Sequence, residues 1–310
     1  MQKLAFAIHG GAGTLVRGKM TAEKEKEYKT ALENALNAGY QSLKDGKTAI
    51  EAVETAIKIL ENSPLFNAGK GSVFTASETH EMDAAIMDGK TLNAGAVTLI
   101  TGIKNPISLA KDVMTQSEHV FMAGDGAMEF AKSLNYTLEE PNYFYDEFRH
   151  QQWLELKDSD TFQLDHSAKK DSKFGTVGAV ACDKNGNIAA GTSTGGMTNK
   201  KFGRIGDSPV IGAGNYANNK TCAVSCTGSG EFFIKAVAAY DVSCLMEFKG
   251  LSLEEATNEV IHKRILEIGG DGGMIAVDAL GNIAMPFNTE GMYRAYKNSE
   301  GLEEVLIYDL

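Results

Sequence analysis

The sequence predicts an α+β fold in which helix layers cover antiparallel sheets. An apolar-Asp-x-x-Gly-Asn-Ile-Ala pattern occurs twice, in residues 180–191 and 275–286. Apolar runs joined by Gly-Asn turns are typical of β-hairpins, and hairpins imply antiparallel pairing. In addition, amphipathic helical stretches come in pairs between the strand runs. We therefore expect two stacked, mainly antiparallel sheets with helices outside them.

Size and charge restrict the class of protein. The chain has 310 residues, of which 43% are hydrophobic and 23% are charged, as in soluble globular proteins. A net charge of −11 argues against nucleic acid or an anionic membrane as the main partner. The N-terminal apolar run is too short for a signal peptide, and no apolar stretch reaches the roughly 18 residues of a membrane helix. We therefore expect a cytoplasmic enzyme.

The four cysteines lie among apolar or small residues and lack metal or redox spacing. We expect them to be reduced core thiols. They are Cys182, Cys222, Cys226 and Cys244.

The N-terminal third begins with a strand and two helices. Residues 3–8 predict a strand, and we expect the glycines of residues 9–13 to turn the chain sharply, since they miss the GxGxxG spacing. Thr21 is suited to cap the first helix, and Thr48 with Glu51 predicts a capping box for the second. The predicted buried faces are Leu32, Leu36, Tyr40 and Leu43 in the first helix, and Ile50, Val53, Ile57 and Leu60 in the second.

Strand-like and helical stretches then alternate up to a charged segment. Asp83 and Asp88 are predicted at hairpin strand ends rather than as an acid–base couple, and His80 has no second ligand at metal spacing. Residues 136–174 carry charges of both signs without a period. They predict a mobile linker, and a solvated surface loop fits the composition equally well.

Polar side chains among glycines are concentrated in residues 175–230. Thr176 follows Gly175 at the head of a predicted strand, while Thr194 and Thr227 each lie beside glycines. Arg204 and Asp207 lie three residues apart in a loop with glycines. Such a concentration indicates backbone brought close to a ligand.

Several motifs in this order resemble the plant-type asparaginase/isoaspartyl peptidase family of N-terminal-nucleophile (Ntn) hydrolases. The resemblance covers nearly the whole chain and implies a four-layer αββα sandwich. It also implies a single domain, 1–310, cut into an α subunit, 1–175, and a β subunit, 176–310. The motifs are HGGAGT, PLFNAGKGSVFT, HEMDAAIMDG, GTVGAVA, TSTGGMTNK, GRIGDSP, TGSGE and PFNTEGMYRA.

The chemistry requires a base for a threonine hydroxyl, which is a poor nucleophile by itself. None of the six histidines lies in the motif stretch, by which we mean residues 175–230. An N-terminal threonine can use its own α-amino group, whose pKa is about 7.7–8.0. Cutting the Gly175–Thr176 bond would create that terminus. The resemblance implies attack of the Thr176 hydroxyl on the Gly175 carbonyl, then an N-to-O acyl shift and hydrolysis.

The resemblance also assigns the other site residues. Thr194 would tune Thr176, the Thr227 hydroxyl and Gly228 N–H would form the oxyanion hole, and Asn67 would lie near the site. Arg204 would bind the α-carboxylate of the substrate. Asp207 and the Gly230 carbonyl would bind its α-ammonium group.

No cofactor is expected for the chemistry, but the resemblance implies a structural sodium ion and a dimer of cleaved protomers. Main-chain oxygens suit such a hard cation. Those implied are of Leu60, Glu61, Ser63, Phe66, Ala68 and Lys70.

Three alternatives stay open. A glycosylasparaginase-like amidohydrolase is a weaker match, and Asp271 departs from the small residue expected in its loop, which leaves the leaving-group preference open. Gly191 to Gly195 fits the G-x-S-x-G elbow of serine hydrolases, with Ser193 as nucleophile, but no helix is predicted after it. The third is an amino-acid-binding protein that never cleaves itself.

Overall fold

A computed structural model describes residues 3–157 and 175–309, and the strands of these residues form two sheets. The larger has the order β12-β11-β1-β5-β6-β2-β3-β4, and the smaller β10-β9-β8-β7. Neighbouring strands are antiparallel except for β3 and β4. The bounds are β1 Ala5–Gly13, β2 Met82–Asp88, β3 Ala94–Ile100, β4 Phe121–Ala123, β5 Val177–Cys182, β6 Ile188–Thr194, β7 Asn215–Ala217, β8 Cys222–Gly228, β9 Gly272–Asp278, β10 Ile283–Ala284, β11 Gly291–Asn298 and β12 Glu303–Tyr308.

The helices begin where the sequence offers caps. The Thr21 side chain accepts from the Lys24 N–H, and the capping boxes of Thr48–Glu51 and Ser252–Glu255 are formed. No helix in the described part of the chain is both long and apolar enough to cross a membrane. The bounds are α1 Ala22–Lys44, α2 Ala49–Glu61, α3 Pro106–Gln116, α4 Gly124–Ser133, α5 Pro141–Phe144, α6 Glu147–Leu156, α7 Gly230–Ala236, α8 Ala238–Lys249 and α9 Leu253–Glu259, and α9 continues as a π-helical segment, Val260–Ile265.

Strand alternation distributes the core over the two faces of each sheet. In β1, Phe6 and Ile8 join the cluster with α1 to α3, whereas Ala5 and Ala7 face the smaller sheet. In β8, Val224 packs toward α8 and α9, whereas Ala223 faces the larger sheet. Successive side chains of a strand point to opposite faces, so one short pattern serves both cores.

The two repeated patterns form the predicted hairpins, β5–β6 and β9–β10. In the first, Asp183 Oδ1 accepts from the Asn185 and Asn187 N–H groups. In the second, Asp278 Oδ1 accepts in the same way from Leu280 and Asn282. The shared aspartate therefore closes both turns through its own side chain.

The glycines after His9 do not turn the chain, contrary to the prediction. They continue β1, with a register shift between His9 and Gly11. A side chain at Gly10 would overlap the Phe66 ring. The glycine here therefore makes room for a packed ring.

Two further predictions need correction. Residues 141–156 of the predicted mobile linker form α5 and α6, because Phe144 and Trp153 are buried against the protein. The rest of that linker, residues 158–174, lies outside the described residues. Val237 is 46% exposed and separates α7 from α8 with a φ of 50°. Ile50 is half-buried, whereas Val53 and Ile57 are fully buried.

Three of the predicted core cysteines are buried, and Cys244 is half-buried; all four are free thiols.

Candidate active site

Thr176 and Thr194 lie together where β5 begins and β6 ends. The hydroxyl of Thr176 donates to Thr194 Oγ1 over 3.0 Å. Thr194 Oγ1 also accepts from the Gly196 N–H at 3.0 Å. The strands are adjacent and antiparallel, so their opposite ends meet at this point. Thr194 can therefore orient the hydroxyl of Thr176 and respond to a change in its charge.

Asn67 packs directly against the residue before Thr176. A side chain at Gly175 would overlap the backbone nitrogen and Cβ of Asn67. The Asn67 amide donates to the Gly196 carbonyl at 2.7 Å and accepts from the Val73 N–H at 3.0 Å. Close contact with Asn67 is therefore a specific reason for a glycine at position 175.

Thr227 and Gly228 lie at the end of β8, opposite the glycines of β9. The Thr227 hydroxyl is buried and accepts from the Ala12 N–H at 3.3 Å. A side chain at Gly228 would overlap the Asp271 carbonyl. The Asp271 carboxylate accepts from the Ser229 hydroxyl, so it contacts the loop next to Gly228.

Arg204, Asp207, Gly230 and Glu231 lie together in a group that we call the substrate clamp, after the binding role that the resemblance implies for it. A Cβ atom added to Gly230 would lie 2.8 Å from Asp207 Oδ1 and 3.1 Å from Arg204 Nη2. Arg204 donates from Nε and Nη2 to the two Glu231 oxygens, each at 2.8 Å. The sequence analysis missed Glu231, although it ends the TGSGE motif. Arg204 therefore forms its ion pair with Glu231 and not with Asp207.

Asp207 is the unusual charge of the clamp. It is 5% exposed, and its Oδ2 has no hydrogen-bond partner in the described part of the chain. Burial raises the pKa of Asp207 to about 7, with the nearby Arg204 guanidinium opposing the rise. A buried carboxylate oxygen without a donor is unfavourable. A bound cation would relieve it.

His9 also belongs to the site, although the sequence analysis set it aside for lying outside the motif stretch. It is fully buried in β1, with Nδ1 3.0 Å from the Thr176 carbonyl oxygen and Nε2 2.9 Å from Ser225 Oγ. Burial lowers the pKa of His9 to about 3. Its ring contacts the carbonyl rather than the hydroxyl of Thr176, so it is not placed to act as the base.

Ser193 points away from Thr176. It is buried in β6, and its hydroxyl donates to Glu61 Oε1 at 2.7 Å. The G-x-S-x-G segment lies in strand β6 up to Thr194. Asp241, an aspartate that follows Ser193 in the chain as a serine-hydrolase triad requires, pairs with Arg264. The serine-hydrolase alternative is therefore wrong, because its nucleophile lies inside the core.

The main-chain oxygens predicted for sodium belong to the last two residues of α2 and to the loop that follows it, up to residue 71. Side chains at Gly69 and Gly71 would overlap the Glu61 and Phe66 carbonyls, so these oxygens face the loop's own glycines. The Glu61 carboxylate accepts from Ser193 and from the Ile107 N–H, and burial raises its pKa to about 8. Carbonyl oxygens gathered in one loop are chemically suited to a hard cation.

Comparison with known proteins supports the motif resemblance along the chain. The model of a family described as asparaginase matches residues 2–307. An isoaspartyl peptidase of Escherichia coli K12 is 50% identical over 96% of this chain and 93% of that protein. A probable isoaspartyl peptidase/L-asparaginase 2 of Arabidopsis thaliana is 42% identical over 98% of this chain and 99% of that protein. A plant-type L-asparaginase of Pyrococcus abyssi is 42% identical over 97% and 98%, respectively. The chain therefore belongs to the asparaginase family that includes isoaspartyl peptidases and plant-type L-asparaginases.

Proposed function

We propose that this protein is a self-processing threonine hydrolase that cleaves β-aspartyl (isoaspartyl) dipeptides and L-asparagine. Relatives named for these two activities match nearly the whole chain at 42–50% identity. The observation that carries the proposal is the hydrogen bond from the Thr176 hydroxyl to Thr194. Thr176 directly follows Gly175, which is packed against Asn67. His9 reaches the Thr176 carbonyl instead of the hydroxyl. The α-amino group of a cleaved Thr176 is therefore the base best placed for this hydroxyl.

Maturation begins with attack of the Thr176 hydroxyl on the Gly175 carbonyl carbon. The C–N bond breaks, the amide nitrogen keeps its own proton and takes the hydroxyl proton to become the new amine, and an ester links Gly175 to Thr176. Water hydrolyses this ester, which releases a carboxylate on Gly175 and restores the hydroxyl. The products are an α subunit, 1–175, and a β subunit, 176–310.

The mature reaction repeats the chemistry on the substrate. The Thr176 amine takes the hydroxyl proton while the oxygen attacks the side-chain carbonyl of the aspartyl unit. The Thr227 hydroxyl and Gly228 N–H stabilise the oxyanion, and each such donor typically contributes about 3–4 kcal/mol. The leaving amine takes the proton, and water then hydrolyses the β-aspartyl ester on Thr176.

The substrate clamp reads the aspartyl headgroup. Two N–H groups of Arg204 bind Glu231, which leaves the other edge of the guanidinium for the substrate α-carboxylate. Asp207 and the Gly230 carbonyl accept from the α-ammonium, which supplies the cation that buried Asp207 lacks. Because the clamp contacts only the headgroup, ammonia and an amino acid can both serve as leaving groups.

The finer architecture and the ion are part of the same proposal. Helices α1 to α3, the two sheets, and α8 with α9 are taken as the four layers of an Ntn-hydrolase αββα sandwich. This assignment is supported by the three separate apolar clusters. A sodium ion on the main-chain oxygens of residues 60–70 would brace the loop that carries Asn67. A dimer of cleaved protomers in the cytoplasm completes the family-based proposal.

Intact mass spectrometry of wild type and Thr176→Ala, followed by assays on asparagine and a β-aspartyl dipeptide, tests the function. We expect the wild type to yield two fragments, the smaller beginning at Thr176, and to hydrolyse both substrates. Thr176→Ala should remain one chain and lose at least about 10³-fold in kcat, since it lacks the nucleophile. A self-cleaving, active Thr176→Ala protein would contradict the proposal. An intact, inactive wild type would favour the binding protein.

A further inference from the structure

A chain of buried polar side chains runs between the two sheets, from His9 in β1 to Asn215 in β7. Ser225 Oγ lies 2.9 Å from His9 Nε2 and 2.7 Å from Thr192 Oγ1. The Asn215 amide donates to Thr192 Oγ1 at 3.2 Å and to the Ala85 carbonyl at 3.2 Å. All four side chains are fully buried and come from four different strands. The reaction scheme above uses none of them.

The hydrogen-bond partners give this chain a direction. The Thr176 carbonyl can only accept, so His9 Nδ1 carries the proton. In a neutral ring Nε2 then accepts, and Ser225 must donate to it. Thr192 accepts from Asn215, and it can donate its one proton either to Ser225 or to the Gly214 carbonyl 3.2 Å away. The order Asn215, Thr192, Ser225, His9 and the Thr176 carbonyl satisfies each link.

The surroundings leave little freedom for the ring. A side chain at Gly178 would overlap both His9 Nε2 and Ser225 Oγ. His9 is also paired within β1 between β11 and β5. Neighbouring strands thus fix the ring's position, and the Thr176 carbonyl fixes which nitrogen carries the proton. Burial of the neutral ring is consistent with its pKa of about 3.

We propose that His9 is a positioning residue for the nucleophile, holding the Thr176 peptide by an Nδ1–H bond while Ser225 donates to Nε2 on the other side of the ring. The bond fixes the carbonyl side of Thr176, and the bond to Thr194 fixes its hydroxyl. Two anchors on one residue keep the hydroxyl aimed both at the Gly175 carbonyl before cleavage and at the substrate afterwards. This inference rests on the proposed role of Thr176.

The test compares two substitutions that each preserve one end of the imidazole. His9→Asn places an amide N–H at the position of Nδ1, so it keeps the bond to Thr176 and loses Ser225. His9→Gln reaches Ser225 but leaves the Thr176 carbonyl without its donor. We expect His9→Gln to lower kcat and the self-cleavage rate about 10- to 100-fold with little change in KM, because small misplacements of reacting groups have effects of this size. His9→Asn should remain within about fivefold of wild type.

Thermal unfolding of both variants separates positioning from folding, since either substitution disturbs the same buried site. Equal losses in the two variants, or none in His9→Gln, would overturn the proposal. If His9→Gln does not fold, ¹⁵N NMR of the wild type decides, with His9→Asn used to assign the signal. We expect a neutral Nδ1–H ring that does not titrate between about pH 5 and 8. An Nε2–H ring would overturn the proposal.

Thr176→Ala serves as the reference for the proposed function. If Thr176→Ala stays active, the role of Thr176 fails regardless of His9. If Thr176→Ala is inactive and His9→Gln matches wild type, only the role of His9 fails.

Discussion

The neighbourhood of Thr176 and the substrate clamp solve opposite physical problems. Around Thr176 the partners are neutral hydroxyls, an amide and an imidazole, and each contact is supplied by the protein. The clamp instead gathers the charges of Arg204, Asp207 and Glu231, and leaves one Asp207 oxygen without a donor. Under the proposed function, the nucleophile is therefore positioned before the substrate arrives, whereas the substrate completes the clamp.

The energetic reason lies in the cost of burial. A satisfied neutral hydrogen bond contributes about 1 kcal/mol and can be retained at little cost. A buried, incompletely paired charge is unfavourable until its partner binds. Substitutions in the clamp should therefore change mainly KM, and substitutions beside Thr176 should change mainly kcat.

The largest effect expected in the clamp is that of Asp207→Asn. Loss of a charged hydrogen bond of about 1.5–3 kcal/mol should raise KM for asparagine about 10- to 100-fold, with kcat changed only a few-fold. In the wild type, the carboxylate is protonated below its pKa of about 7. Its attraction for the ammonium is then lost, so KM should rise as pH falls from 8 to 6, as rate measurements across this range can show. This pH range spans the pKa of Asp207.

The matched control is the same pH series on Asp207→Asn, whose KM should be independent of pH in this range. An ordinary α-amino group has a pKa of about 7.7–8.0, and titration of the proposed Thr176 amine should act on kcat, because that amine is the base. A wild-type KM that stays constant, or a variant with unchanged KM, would break the comparison.

A smaller effect is expected from Glu231→Gln, which removes the charge facing Arg204 but keeps one acceptor. The pair is partly exposed, so its contribution is about 0.5–1 kcal/mol, and KM should rise about two- to fivefold. Steady-state kinetics with asparagine measure this change. A lower KM would mean that Glu231 competes with the substrate carboxylate instead of orienting Arg204.

The smallest effect on activity is expected for Ser193→Ala, which removes a hydroxyl on the helix-facing side of β6. The lost bond to Glu61 should lower the free energy of unfolding by about 1 kcal/mol, while kcat and KM stay within about twofold. Urea unfolding and kinetics check the two parts. Thr194→Ala, on the opposite face of the same strand, is the matched control and should lower kcat. A loss of activity in Ser193→Ala equal to that in Thr194→Ala would contradict the assignment of faces.

Local signals predicted much of the fold. Thr48 and Glu51 lie three residues apart, and their capping box forms because both partners belong to one helical turn. The two Gly-Asn hairpins also form from local contacts, because each aspartate accepts from N–H groups two and four residues further along the chain. The glycines of residues 10–13 were misread because the ring that fills the space beside Gly10 comes from Phe66. Part of the linker was misread because Trp153 is buried by distant residues.

The sequence alone determined the strand and helix pattern, the glycine before Thr176 and the residue types of the clamp, since these depend on neighbours along the chain. Tertiary structure decided that His9, 167 positions from Thr176, contacts its carbonyl. It also decided that Arg204 pairs with Glu231 while Asp207 keeps an unpartnered oxygen. Contacts between residues of different strands and loops depend on how the sheets stack. The spacing of residues along the chain does not determine that stacking.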